Sequence, residues 1–102
     1  MLEKVKLAMR INTSVFDSEL LDLIAGAIAD LEHCGPQFVV KEVVANGATA
    51  DYEVKDPLIS RAIVTYCRMN FGSPADYDRL KASYDEQKGQ LRESSAYGME
   101  VL

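Results

Sequence analysis

The 102-residue chain has no tryptophan, one histidine and two cysteines. Each shortage excludes something. With His33 as the lone imidazole, a Ser–His–Asp or Cys–His arrangement would have to rest on that one residue. Glu32, His33 and Cys34 are metal-ligand types, but neighbouring helical residues point in different directions. Zinc sites use separated pairs, and neither C-x-x-C nor H-E-x-x-H occurs. His33 closes a helical pattern, where a cationic imidazole favours the helix dipole. That spelling gives it a helix-end or surface role. Cys34 and Cys67 have no second pair with which to build a disulfide framework, so they read as single buried thiols. The glycines are scattered and form no phosphate-cradling loop. No metal, cofactor or catalytic residue is expected.

Long apolar runs are missing too. The longest fall well short of the about 20 residues a membrane helix needs, so no membrane partner is expected. The opening "MLEKVKLAMRI" interleaves charge with apolar residues and does not spell a signal peptide. Positive charge is scarce: 11 Lys and Arg against 16 Asp and Glu, a formal net charge of −5. An acidic chain repels phosphate and anionic lipid. No basic patch with interleaved aromatics, the usual nucleic-acid footprint, is present. The length suits one domain, here residues 1–93, that buries roughly 65% of its unfolded surface. Such a core is thin, and self-association would support it.

What the sequence does have is helical periodicity. Residues 2–10 spell a short amphipathic helix with Leu2, Val5, Ala8 and Met9 on one side. Asp17 or Ser18 is placed to cap the next helix, "SELLDLIAGAIADLEHC". There Leu20, Ile24, Ala27, Ile28 and Leu31 share a face. Gly35-Pro36 stops it.

Residues 38–54 change period. Asn46-Gly47 suits a type I′ turn, and Ala48, Ala50, Tyr52 and Val54 then alternate with polar residues. A β-hairpin follows, although the valines before the turn also fit helical spacing. A two-residue turn would set Glu42 opposite Asp51, a like-charge pair. Asp56-Pro57 opens a third long helix, with Asp as cap and Pro at its first position. Ile59, Ala62, Ile63, Tyr66 and Met69 form its apolar stripe. Gly72 and Pro74 break it, and Ser73 or Asp76 can cap a fourth helix carrying Tyr77, Leu80, Tyr84 and Leu91. The expected fold is therefore mainly α. It is a small bundle of a short N-terminal helix and three longer ones, with an inserted β-hairpin and an extended C-terminal tail, residues 94–102. Its expected core includes Leu20, Ile24, Ile28, Leu31, Ile59, Ile63, Tyr66, Leu80 and Tyr84.

Acids concentrate in the second helix: five between Asp17 and Glu32, with no base among them. Glu19, Asp22 and Asp30 fall on one stripe together with Gly26. A solvated face explains this. A second reading is a wall lining a channel through which DNA slides without sticking. The fourth helix mixes both signs, with Asp85–Lys88 and Lys88–Arg92 at neighbour spacing, an ordinary mixed surface. The tail "SSAYGMEVL" alternates Tyr97, Met99 and Val101, large groups of the kind enriched at interfaces.

The segments "LEKVKLAMRI", "FDSELLDLIAGAIADL", "DPLISRAIVTYCRMNFG" and "DYDRLKASYDEQKGQL", followed by a tyrosine in the tail, resemble in their order the tailed-phage head–tail connector family. These are also called adaptor, DNA-packaging or head-completion proteins. The resemblance covers most of the chain outside residues 38–54, which stand as an insertion relative to many members. It implies a non-enzymatic virion subunit, of phage or prophage origin, made in the host cytoplasm and built into the neck. Such subunits form a closed ring of about a dozen copies below the portal protein. The ring extends the DNA channel and meets a stopper or tail-completion protein on its tail side; DNA passes without sequence-specific binding. Asp56, Pro57, Tyr66, Phe71 and Gly72 match the family pattern and look architectural. On this reading Glu19, Asp22 and Asp30 face the channel, and Tyr97, Met99 and Val101 contact the portal or a neighbour. Two other classes compete: a small helical regulatory or partner-binding module of prophage origin, and a small enzyme with a site near His33.

Overall fold

The computed structural model of the chain describes residues 1–33, 40–44, 50–72 and 74–93. In chain order these form α1 (Leu2–Met9), α2 (Asp17–Leu31), β1 (Val40–Val44), β2 (Ala50–Val54), α3 (Pro57–Asn70) and α4 (Tyr77–Glu93). The fold is mainly helical, as the periodicity predicts. Gly35-Pro36, Asn46-Gly47 and the tail lie outside the described residues.

α3 is the central element and touches α1, α2, α4 and β2. Its start is locally encoded. The Asp56 carboxylate accepts from the backbone N–H groups of Leu58 at 2.8 Å and Ile59 at 3.4 Å. Pro57, with no N–H to leave unpaired, takes the first helical position. At the far end Gly72 adopts φ 68°, a left-handed conformation costly for any residue with a Cβ. The chain turns there into α4.

Between these ends α3 buries Ile59, Ala62, Ile63, Cys67 and Met69 against Leu20, Ile24, Ala27 and Leu31 of α2. Val5 of α1, Leu80, Tyr84 and Leu91 of α4, and Val54 of β2 complete the core. Tyr66, expected within this core, is half-buried and packs against its edge. Ala8 is exposed, so α1 buries Val5 and half-buries Leu2 and Met9. Burial pushes the Cys67 thiol up to about 12, as expected for an inert core thiol.

Two local expectations are corrected. Asp17 does not cap α2: Phe16 holds the cap position and makes no side-chain cap bond. Asp17 is instead the first helical residue, and its carboxylate meets Lys6 of α1 at 2.8 Å, an ion pair without hydrogen-bond alignment. An acid in the first turn still favours the helix dipole, so the helix keeps its electrostatic benefit while α1 gains a tether.

The hairpin register is the second correction. β1 and β2 pair antiparallel with Val44 opposite Ala50, one place from the register that a two-residue turn would set. This sets Val43, rather than Glu42, opposite Asp51, and it places Lys41 opposite Glu53 and Glu42 opposite Tyr52. Asp51 then serves another helix. Its carboxylate accepts from the Leu2 N–H of α1 at 3.2 Å and from its own neighbour Tyr52 N–H at 2.7 Å. The Met1 nitrogen donates to the Tyr52 carbonyl at 2.8 Å. The hairpin thus caps α1 from a distance.

Candidate functional site

The acidic stripe of α2 divides into two halves. Glu19 and Asp22 are exposed. Asp30 is drawn into the bundle. The Tyr84 hydroxyl of α4 donates to its carboxylate at 2.6 Å, and Lys88 Nζ, one turn on, donates at 3.2 Å. The Lys88 ammonium also stands 4.9 Å above the Tyr84 ring, and Tyr84 meets Tyr66 of α3 edge-on at 5.5 Å.

Gly26 makes this arrangement fit. A Cβ there would lie 3.1 Å from the Tyr66 hydroxyl oxygen, so the missing side chain leaves room for the ring. The stripe residue that looked like a gap between acids is a seat for α3.

The electrostatics follow. Partial burial alone would raise the Asp30 carboxyl. The Tyr84 and Lys88 hydrogen bonds, with the charges of Lys88 and His33, more than offset this and hold it below the usual aspartate value. Tyr66 moves the other way: burial raises it first, then the nearby Asp30 charge. Asp30 is therefore an ionised carboxylate with its own cation, not a bare charge facing solvent.

His33 is exposed just beyond α2, and its N–H closes a turn onto the Asp30 carbonyl at 3.2 Å. Among the described residues no group of three His, Cys, Asp or Glu is arranged to hold a metal ion. None of the described helices is long and apolar enough to cross a membrane. On α4, Lys81 reaches Asp85 at 3.1 Å, and Lys88 turns away from its own helix toward Asp30.

The opposite end of the bundle has no such closure. Leu7 is 82% exposed and Val15 76%. A groove of about 370 Å³ opens where α1 ends, α3 turns and α4 begins, with Arg10 and Arg68 on its walls. Arg10 sits at φ 60°, ψ 40°, a left-handed conformation uncommon for a residue with a side chain. Phe16, at the mouth of α2, meets Phe71 edge-on at 5.3 Å. Sequence reasoning missed this surface. Its only signal was Leu7 on the polar side of α1, a single residue out of pattern. Tyr97, Met99 and Val101 lie outside the described residues.

Neither a curated protein nor a solved structure matches the chain. The model of one family does, described as "Phage connector protein", over residues 1–98. That span takes in all four helices and the hairpin, in agreement with the resemblance drawn from the sequence. The chain belongs to the phage connector protein family.

Proposed function

We propose that this connector is a structural, non-catalytic subunit of the phage neck. Copies associate head to tail into a closed ring of about a dozen. The ring docks below the portal protein, extends the DNA channel and completes the packaged head for tail attachment. Its tail-side partner is a stopper or tail-completion protein, and DNA passes without being read. The observation that carries the reading is the family match across residues 1–98. Residues 1–93 act as one unit on this account, and residues 94–102 supply contacts outside it.

Glu19 and Asp22 are the acids suited to a channel wall, since both are exposed on one stripe of α2. Their charge repels phosphate and disfavours pausing. Asp30 contributes less, because Lys88 neutralises it at close range.

Electron microscopy of negatively stained protein, alone and with purified portal, tests the proposal. Rings that stack on the portal are the expected images. A discrete dimer that ignores the portal would turn the reading toward a regulatory module.

A further inference from the structure

The groove at the α1–α3–α4 end is mainly polar and cationic, with apolar patches. Met9, Phe71, Pro74 and Leu80 supply its apolar lining, and Arg10 and Arg68 its charge. Both arginines are exposed, and neither pairs with a carboxylate among the described residues. The acid of the groove, Asp76, is already engaged by Arg79. A complementary occupant is an extended segment with large apolar side chains, one acid and no base.

The chain contains such a segment. Residues 94–102, "SSAYGMEVL", carry Tyr97, Met99, Val101 and Leu102, with Glu100 as their lone charged side chain. We propose that this groove receives residues 97–101 of a neighbouring copy, with Glu100 between Arg10 and Arg68. The proposal rests on the self-assembly reading above and adds the residues that make the contact.

Reach decides between a neighbour's tail and the chain's own. The tail leaves from Glu93, at the far end of α4 from the groove. At 1.5 Å per helical residue, the way back is about 20 Å to Leu80 and about 25 Å to Asp76. Tyr97 is four residues beyond Glu93, which spans at most about 14 Å when extended. Tyr97 therefore falls short of its own groove; Glu100, seven residues out at about 24 Å, just reaches it, so only a neighbour's tail can seat residues 97–101 together. A neighbour's tail meets no such limit, and head-to-tail use of two different surfaces is what closes a ring.

Arginine suits this position, because its planar fork holds a carboxylate through two parallel N–H bonds. The left-handed Arg10 adds a diagnostic. Glycine is the residue its backbone prefers, so Arg10→Gly removes the guanidinium without harming the turn.

The test uses a fluorescent peptide of residues 94–102, blocked at both ends so that Glu100 is its only charge. It is titrated into dilute full-length protein and followed by anisotropy. Saturable binding is expected. It should weaken at least tenfold with Arg68→Glu, and a Glu100→Lys peptide should regain most of that loss. Arg10→Gly should also weaken binding with no fall in melting temperature, which guards against a misfolded Arg68 variant. No saturable binding, or equal binding by the wild type and both variants, overturns the proposal. A chain that forms rings when concentrated yet ignores the peptide when diluted to monomers overturns this groove and leaves the connector reading intact. A chain that binds the peptide through both arginines but never forms rings supports the groove and defeats the connector reading.

Discussion

The two ends of the bundle treat charge in opposite ways. Where α2 meets α4, Asp30 is satisfied by Tyr84 and Lys88, and the aromatic rings of Tyr66 and Tyr84 close over the contact. Where α1, α3 and α4 meet, Arg10 and Arg68 stand over a mainly polar groove with apolar patches, and Leu7 and Val15 are exposed. The first end has completed its interactions within one chain. The second has the ingredients of a contact and lacks the other half. A buried charge is stable only when paired, whereas exposed arginines and apolar side chains cost little until a partner arrives.

Ile63 lies between the two ends and is fully buried on α3. Ile63→Ala should cost about 2–5 kcal/mol through lost transfer energy and the cavity left behind. Urea denaturation measures it, and a loss below about 0.5 kcal/mol would remove Ile63 from the core.

The closed end should yield the next largest effect. Asp30→Ala removes the carboxylate that accepts from the Tyr84 hydroxyl and pairs with the Lys88 ammonium, at a cost of about 1–2 kcal/mol after allowance for solvent screening. The pH dependence has a definite sign. Asp30 in the fold lies below its unfolded value, so the folded state holds fewer protons in that window. Its contribution is complete above the ordinary aspartate value of about 3.9 and is lost as pH falls through the lower folded value. Wild-type stability should therefore fall more steeply in acid than that of Asp30→Ala; parallel acid titrations would contradict the network.

The open end should behave the other way. Arg10→Gly relieves a left-handed residue and should raise stability by about 1 kcal/mol. Leu7→Ser should leave it within about 0.5 kcal/mol, since the side chain already faces solvent. Both are read from thermal melts. A large destabilisation by either would mean that this end is finished within the chain after all.

How much of this was legible depended on distance along the sequence. Asp56 and Pro57 act on residues two or three positions away, and Gly72 acts on its own backbone. The α2 and α3 stripes follow from a period of 3.6. The groups that needed the fold are far apart in the chain. Asp30 meets Tyr84 and Lys88 across 54 and 58 positions, and Asp51 caps α1 across 49. No pattern of spacing could pair them. The hairpin shows the same limit: Asn46-Gly47 pointed to a two-residue turn, but β2 settles where Asp51 can serve α1. Asp17 went astray because a cap and a first-turn acid look alike in sequence, and Lys6 decided between them.

The central claim is that the open end is where copies of this connector join. Native mass spectrometry of the full-length wild type and of Arg68→Glu tests it most directly. A closed ring is expected for the wild type, and monomers with an unchanged melting temperature for the variant. Rings from Arg68→Glu that match the wild type, and that dissociate instead on Glu19→Lys and Asp22→Lys substitution, would place the joint on α2 and contradict the account.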